Sequence, residues 1–519
     1  MGNTIYHYDA VANPTNMSYP VSHGITLGYD KLNRLTNMVD ALGTSLYAYD
    51  GAGQLLSETG PWTGVSVSNT YANRLRQAST VKTNGAAAWA QSYYYDPARR
   101  LTNVTSGAGA FAYQFAPGVQ GLPSMVTLPN GASIVNSYDT VARVKSTALK
   151  NSLLANLDCH LYYYNLAGQR TTQSRLYGDY VNYTYDNAGQ LKTARGAESG
   201  GSPSRLQEQF GYNYDAAGSL GCRTNNALIE TFAVNSANEL ATAAPSGTLT
   251  LAGGTVPSAT NVTVSGDAGG TAALYHDSTW ALPGVALPNG SATYIATARN
   301  AQGGEATASV GVTLPATVSY IYDGNGNLIS DGNRNFAYDD SPREIKARGS
   351  RDALAVSRVL AAATSSPTRS ISRGKNRLTS VWVTNVWRTD FAYDGKMRLR
   401  QRTERAWNGS GWSTNSTVRY VYDGNVVVQE QDQNNASKVS YTRGRDLSGS
   451  QQGAGGIGGL LARSDNTAVT HAYYFADGNG NITCMIDTNQ AVVATYLYDP
   501  YGRILSQSGP LAAANLYRF

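Results

Sequence analysis

Hydrophobic and polar positions alternate along most of this chain, in short runs that end at turn-forming residues. A clear example is YAYDGAGQL at Tyr47–Leu55, where two tyrosines two positions apart are followed by Asp, Gly and Leu. Residues two apart on a β-strand share a face, and Asp and Gly are typical of tight turns. The pattern therefore predicts a strand, a turn and a returning strand.

The same nine-residue pattern, aromatic-x-Tyr-Asp-x-x-Gly-polar-Leu, recurs along the chain. The clearest copies are Tyr47–Leu55, Tyr183–Leu191, Tyr212–Leu220, Tyr320–Leu328 and Tyr496–Ile504. Degenerate copies begin at Tyr29, Tyr93, Tyr138, Tyr162, Phe391, Tyr420 and Tyr474. Several neighbouring copies lie about twenty residues apart, as from Asp30 to Asp50 and from Asp477 to Asp499, which accommodates two short strands and two connections. Because one hairpin cannot bury a face alone, the hairpins are expected to stack into a long sheet.

Each position of the motif has a predicted structural role. The two tyrosines share a strand face and are expected to stack on their equivalents in neighbouring repeats. The aspartate is expected to cap the turn as an Asx-turn, and the glycine to supply a positive φ. The residues concerned are Tyr47, Tyr49, Asp50, Gly53, Tyr183, Tyr185, Asp186, Gly189, Tyr212, Tyr214, Asp215, Gly218, Tyr320, Tyr322, Asp323, Gly326, Tyr496, Tyr498, Asp499 and Gly502.

The repeat array resembles the RHS/YD-repeat family, which includes bacterial RHS toxins and teneurin-like YD shells. The most specific likeness lies in Tyr441–Ser464 and Tyr473–Gly509, which resemble the approach to the RHS-associated core. The resemblance implies an all-β fold, in which stacked hairpins form a curved or spiralling sheet, a partial YD shell. In the family the core continues to a self-cleavage site and a variable effector. The chain stops at Asn515–Phe519, so we expect a fragment that lacks both.

Two stretches interrupt the pattern. Residues 241–317 alternate Thr, Val and Ala with Gly, Pro and Asn, which predicts an inserted immunoglobulin-like β-sandwich packed around Trp280, acting as a spacer or a binding appendage. Residues 341–375 split one repeat between Asp340 and Asn376 and are rich in Arg and Ser, so we expect a disordered surface loop. The expected organisation is therefore repeats at 1–240, the sandwich at 241–317, a repeat at 318–340, the basic insertion at 341–375 and repeats leading to the core at 376–519.

Composition narrows the classes of function. Tyr (36) and Gly (54) are abundant and Phe (8) is rare, which favours strands and turns. The net charge of +5 is concentrated in residues 341–375, so it does not predict a nucleic-acid partner. The low charged fraction of 14% is typical of secreted or cell-surface β proteins. We expect the protein to be secreted or at the cell surface, although the N-terminus has no signal-peptide pattern and no segment is apolar enough to span a membrane.

The candidate chemistry in the sequence is weak, and we expect no catalytic residue, no cofactor and no metal. Paired carboxylates could do acid–base work only if two converged on one site. Two turns resemble part of a calcium loop but lack its bidentate glutamate: Asp323, Asn325 and Asn327, and Asp477, Asn479 and Asn481. The glycine-rich run Gly453–Ala462 is similar to the phosphate-binding motif GxGxxG, but no βαβ unit surrounds it. It is expected instead to pass close to neighbouring backbone. Cys159, Cys222 and Cys484 form no CxxC pair.

Two functions remain open at this point. The first is a structural shell fragment that encloses and presents a C-terminal effector absent from this chain, with the rest of its own polypeptide as partner. The alternative is an adhesion or carbohydrate-binding protein, because exposed tyrosine faces can stack on sugar rings.

Overall fold

The computed structural model describes residues 4–118, 121–340 and 376–518, and their regular structure is almost entirely β-strand. In these ranges the one helical element is a 3-10 turn at Ser199–Gly201, and no helix is long and apolar enough to cross a membrane. The strands that precede the first insertion are β1 (Ile5–Tyr8), β2 (Pro14–Ser18), β3 (Ile25–Tyr29), β4 (Leu35–Asp40), β5 (Gly43–Tyr49), β6 (Leu55–Thr59), β7 (Val65–Ala72), β8 (Leu75–Thr83), β9 (Ala86–Tyr95), β10 (Leu101–Ser106), β11 (Gly109–Phe115), β12 (Pro123–Thr127), β13 (Ser133–Tyr138), β14 (Val144–Lys150), β15 (Asn156–Tyr164), β16 (Arg170–Arg175), β17 (Tyr180–Tyr185), β18 (Leu191–Ala197), β19 (Ser204–Tyr214), β20 (Leu220–Asn225), β21 (Leu228–Val234) and β22 (Leu240–Gly254).

The insertion and the second half of the chain supply the other strands. Those of the insertion are β23 (Ala259–Gly266), β24 (Gly270–Thr271), β25 (Ala273–Leu274), β26 (Thr279–Ala286), β27 (Gly290–Asn300) and β28 (Glu305–Leu314). Those that follow it are β29 (Val318–Ser319), β30 (Ile321–Tyr322), β31 (Leu328–Ser330), β32 (Asn335–Tyr338), β33 (Leu378–Val383), β34 (Trp387–Tyr393), β35 (Leu399–Trp407), β36 (Trp412–Asp423), β37 (Val426–Gln431), β38 (Ser437–Arg443), β39 (Leu460–Asp465), β40 (Thr470–Ala476), β41 (Ile482–Asp487), β42 (Val492–Tyr498) and β43 (Ile504–Ser508).

The strands form one antiparallel strip in which each strand pairs with the next along the chain, from β1 to β22 and again from β30 to β43. The insertion does not break this strip. The first half of β22 pairs with β29, with Thr242 opposite Ser319, and β30 follows one residue later and pairs with β31. The predicted all-β sheet of stacked hairpins is confirmed.

The strip coils on itself. We call β1–β22 the first circuit and β30–β43 the second circuit. Their contacts follow chain order: the Asp340 carboxylate accepts from the backbone N–H of Ser22 (2.8 Å), and Ser106 and Thr442 share a hydroxyl–hydroxyl hydrogen bond (2.6 Å). Further along, the Gly478 N–H donates to the Tyr162 hydroxyl (2.7 Å), and β43 finally reaches β22. The strip is therefore a spiral whose second circuit lies against the first.

The largest core lies between the circuits. Phe111, which is fully buried, packs with its aromatic ring 5.9 Å from that of Tyr473. Successive residues on a strand point to opposite faces, so Tyr474 joins a second core on the other face of the second circuit. The C-terminal segment covers that second core with Ala512 and Tyr517. The middle strands of the second circuit are thus buried on both faces, which explains apolar runs such as AYYF and ITCMI.

The first insertion folds as two layers around its own core. β23, β24, β27 and β28 form a four-stranded sheet, and β25 and β26 pair beside the second half of β22. Trp280 packs between the layers with Val262 and Tyr294. The β-rich character matches the prediction, but an immunoglobulin-like topology is not confirmed. The predicted loop at 341–375 lies outside the described residues, and the domain boundaries remain predictions.

Candidate functional site

The recurring structural site of this molecule is the Tyr-Asp turn. In the copy at Asp50, the carboxylate Oδ1 accepts from the backbone N–H groups of Ala52 (2.9 Å) and Gln54 (2.7 Å). The N–H of Gly53 donates to the Asp50 carbonyl (3.1 Å), and Gly53 has φ +81°, a conformation that favours glycine. The aspartate is therefore occupied by its own turn.

The same geometry is present at the other clear copies and at turns that the motif misses. The aspartates with two such N–H donors include Asp186, Asp215, Asp323 and Asp499. Asn151 and Asn235 accept the same two bonds through their amide oxygens. The left-handed position there is held by Leu154 (φ +65°) and Asn238 (φ +59°) in place of glycine. A search for Asp or Asn alone at the start of each turn would have found these copies.

The two tyrosines of a copy differ in their exposure and in the contacts of their hydroxyl groups, and their stacking on neighbouring repeats stays a prediction. Tyr47 is 5% exposed and packs in a core, whereas the Tyr49 hydroxyl donates to the Leu35 carbonyl (2.9 Å) of the preceding unit. The same bond recurs from Tyr71 to Leu55, Tyr138 to Pro123, Tyr164 to Val144, Tyr185 to Arg170, Tyr322 to Leu240 and Tyr498 to Ile482. The second tyrosine therefore ties each hairpin to the one before it, because its hydroxyl reaches a carbonyl at the end of the adjacent strand.

Removal of one such hydroxyl is expected to destabilise the fold modestly. Tyr49→Phe should lower the free energy of unfolding by about 1 kcal/mol, because a net hydrogen bond contributes roughly that much and the Leu35 carbonyl loses its donor. Urea denaturation measures the change. Tyr163→Phe is the matched control, since Tyr163 is 52% exposed and its hydroxyl has no acceptor among the described residues. Equal effects of the two substitutions would contradict the role of the bond.

An arginine ladder runs beside the tyrosine ladder. Arg34 lies four residues after Asp30, donates from Nε to Asp30 Oδ2 (2.7 Å), and places its guanidinium 4.9 Å from the Tyr49 ring centroid. It also donates to the Asp50 carbonyl of the next turn (2.9 Å). Arg34 therefore connects three elements: its own turn, the next tyrosine and the next turn.

The turn that residues 341–375 interrupt keeps this geometry. Asp339 accepts from the backbone N–H of Arg377 (2.8 Å), and its own N–H donates to the Arg377 carbonyl (3.0 Å). Arg377 also donates to the Asp394 carbonyl (3.0 Å) of the next unit. The insertion thus enters at one turn, whose two sides remain bonded.

The turn aspartates predict a dependence of stability on pH. The hydrogen bond from the Arg34 backbone N–H lowers the pKa of Asp30, and the equivalent bond from Arg100 lowers the pKa of Asp96. The pKa of Asp9 is lowered by hydrogen bonds from the Asn13 side chain and from the Asn13 backbone N–H. A lowered folded-state pKa contributes stability that is present above the unfolded value and lost as pH falls through the folded value. The triple variant Asp9→Asn, Asp30→Asn and Asp96→Asn should therefore be less stable than wild type at pH 7, since it lacks these charges.

The gap in melting temperature between wild type and that variant should close as the pH is lowered towards 3. Asparagine keeps the turn, because Asn165 accepts the Gln169 N–H (2.9 Å) in a natural copy. Thermal melts followed by circular dichroism at a series of pH values measure the gap. A gap that stays constant or widens on acidification would refute this account of the turns.

The candidate metal and phosphate sites are occupied by the protein's own groups. Asp477 Oδ1 accepts from the N–H groups of Asn479 (2.8 Å) and Asn481 (2.9 Å), and Asp477 Oδ2 accepts from Asn481 Nδ2 (2.9 Å). Asp323, Asn325 and Asn327 repeat this arrangement. Across the described ranges, no group of three or more His, Cys, Asp or Glu side chains could hold a metal ion.

The glycine-rich run Gly453–Ala462 binds an internal carboxylate. Asp446 Oδ2 accepts from the N–H groups of Ala454 (2.6 Å) and Gly456 (3.2 Å). In a phosphate-binding loop such N–H groups would donate to the phosphate. A Cβ on Gly456 would lie 2.8 Å from a Val426 methyl group, so the run passes close to its neighbours.

Two of the five clear motif copies meet each other across the circuits. The Tyr212 and Tyr501 ring centroids lie 5.0 Å apart, and the Tyr214 hydroxyl bonds to that of Tyr501. Burial raises the pKa of Asp499 at this junction, where its charged neighbours are Arg223 and Arg503 rather than a second carboxylate. The other three clear copies are spread along the strip.

These observations define the class of protein: a tandem β-hairpin repeat protein whose turns and ladders tie successive units into one coiled sheet. The RHS Repeat family model matches residues 29–61, a unit with the turn and ladder geometry found along the rest of the strip. Residues 29–61 are therefore similar to an RHS repeat.

The chain also matches parts of two larger solved structures. It matches the crystal structure of TcdB2-TccC3 at 13% identity and a TM-score of 0.42, over 98% of this chain and 26% of that one. It matches the Photorhabdus luminescens Tc holotoxin pore at 13% identity and a TM-score of 0.42, over 99% of this chain and 25% of that one. The chain therefore spans about a quarter of the length of these structures. No curated protein matches it.

Proposed function

We propose that this chain is a wall segment of a protein shell that encloses and presents a C-terminal effector. The observation that supports the proposal most directly is the coil: the second circuit packs on the first in chain order, as a spiral wall requires. The motif carboxylates and tyrosines serve the wall itself, in turns and ladders. We further propose that the shell is secreted or displayed at the cell surface, which the low charged fraction of 14% favours.

The position of the C-terminal segment supports the proposal that an effector attached to it would be enclosed. Asn515 is fully buried, accepts from the Tyr474 hydroxyl (2.9 Å) and donates to the Tyr496 hydroxyl (3.2 Å). This segment lies on the face of the second circuit that is turned away from the first circuit. Residues attached after Phe519 would start from that covered face.

Protease protection tests the shell proposal. A small marker domain is fused after Phe519 in one variant and before Met1 in another, and both fusions are treated with a nonspecific protease. The shell proposal expects slower cleavage of the C-terminal marker than of the N-terminal marker. Equal cleavage rates would overturn it.

Carbohydrate binding is a second candidate because one cleft has suitable chemistry. A cleft of about 490 Å³ opens where the β7–β8 turn at Asn73 is shorter than the Tyr-Asp turns on either side. Tyr94, 52% exposed, lines it with Gln77 and Arg99. An exposed aromatic ring beside amide and guanidinium groups could stack on a sugar ring and bond its hydroxyls.

A glycan array tests this candidate directly. Tyr94→Ala should abolish any binding seen with wild type, whereas Tyr163→Ala, which removes an equally exposed tyrosine outside the cleft, should leave it unchanged. An array with no bound glycan, or equal loss in both variants, would remove the candidate.

A further inference from the structure

The edge of the first insertion carries a feature that the shell does not use. β28 is ten residues long and pairs with β27 along its whole length, from Gly290 opposite Leu314 to Arg299 opposite Glu305. In the four-stranded sheet it is the last strand, and no strand lies on its other side among the described residues. One row of its backbone N–H and C=O groups therefore faces outwards, as at any sheet edge.

The usual protections of an edge strand are absent from β28. Natural edges are blunted by bulges, prolines, charged side chains or short length. The β27–β28 pairing has no register shift, whereas the repeat hairpins shift register beside the tyrosine, as at Tyr49. After Glu305, which pairs with Arg299 (2.8 Å), the strand reads ATASVGVTL and carries no charge. The opposite edge of the same sheet, β24, is only two residues long.

The side chains of β28 also leave apolar surface uncovered. Val310 and Val312 share a face, because they are two residues apart. Val312 packs against the core around Trp280, but Val310 is 55% exposed. The core of the insertion therefore stops short of this edge.

The sequence of β28 is suited to pairing with itself. A two-fold antiparallel pair of identical strands must place one residue opposite its own copy, since hydrogen-bonded and non-hydrogen-bonded pairs alternate. Pairing about Val310 puts Thr307 opposite Thr313 and Val310 opposite Val310, and both kinds of cross-strand pair are favourable. No like charges face each other in this register.

We propose that β28 is a self-association edge, where β28 of a second copy of this chain pairs antiparallel across Val310. The two four-stranded sheets then join into one continuous sheet, and Val310 becomes covered. A closed two-fold contact of this kind produces a dimer and stops there.

Sedimentation velocity of the full 519-residue chain, from about 1 to about 100 µM, tests the proposal. Wild type should dimerise within this range, and Val310→Lys should weaken the dimer at least about tenfold, because two lysines would face each other. Val256→Lys is the matched control: Val256 is also 55% exposed in the insertion but precedes β23, so its dimerisation should be unchanged. Circular dichroism verifies that each variant is folded.

Mixing variants tests the register. Val310→Lys and Val310→Glu should each, alone, associate at least about tenfold more weakly than wild type, and an equimolar mixture should regain the dimer because lysine then faces glutamate. A wild type that is monomeric throughout, equal losses in the two lysine variants, or failure of the mixture to associate would each overturn the proposal. Loss of the dimer on Ile5→Lys instead would place the contact at β1, whose four residues are all exposed, and would also overturn it.

Discussion

Arg205→Ala is expected to destabilise the protein by about 3–5 kcal/mol, the cost of removing one partner from a buried ion network. Arg205 is fully buried on β19 and donates to Glu208, Glu198 (2.6 Å) and Asp277 (2.6 Å). Burial favours the neutral form of Glu208, but Arg175 and Arg205 outweigh it and hold the pKa of Glu208 below its usual value. Without Arg205, three carboxylates would lose their shared cation in a dry environment.

The same network fixes the insertion to the wall, because Asp277 belongs to the insertion and Arg205 to the first circuit. Urea denaturation of Arg205→Ala measures the loss of stability. Arg299→Ala is the control, since the Arg299–Glu305 pair is exposed (58% and 47%) and such pairs contribute at most about 1 kcal/mol. A loss for Arg205→Ala as small as that of the control would contradict the network.

Phe111→Ala is expected to cost about 3–5 kcal/mol, because it empties a fully buried site in the core between the circuits. Tyr473 faces it from the second circuit and also donates its hydroxyl to the Ala108 carbonyl (3.1 Å). The double variant with Tyr473→Ala should therefore be non-additive, with a coupling of about 0.5–3 kcal/mol.

A distant residue provides the control for this cycle. Phe391 is 7% exposed and lies outside the core that contains Phe111, so Phe111→Ala and Phe391→Ala should add. Urea denaturation of the single and double variants gives both couplings. Additivity in the Phe111–Tyr473 pair would show that the circuits do not share a core.

The local architecture could be predicted from the sequence because it is encoded within nine residues. The alternation in Tyr47–Leu55 gives the strand faces, and Asp50 and Gly53 give the turn. Turns such as those at Asn151 and Asn235 were missed because they lack the Tyr-Asp pair and glycine. The Asx geometry needs only a side-chain oxygen at the first position.

The long-range arrangement could not be predicted from the sequence. The hydrogen bond between Ser106 and Thr442 joins residues 336 positions apart, and the sequence around each residue does not indicate that the two are in contact. The hydrogen bond from the Tyr49 hydroxyl to the Leu35 carbonyl could not be predicted for a similar reason, since it depends on the position of the adjacent strand. Arg205 was also overlooked, although a charged residue in the strand SRLQEQF signals a buried partner.

The spiral contact between the circuits is the central claim, and a disulfide trap tests it most directly. The Ser106 and Thr442 hydroxyl oxygens are 2.6 Å apart, so Ser106→Cys with Thr442→Cys should form a bond on mild oxidation, identified by peptide mass spectrometry. Ser137→Cys with Ser146→Cys, whose hydroxyls are also 2.6 Å apart within one hairpin, is the control. The coiled strip predicts both links in the monomer. Formation of the hairpin link alone would contradict it.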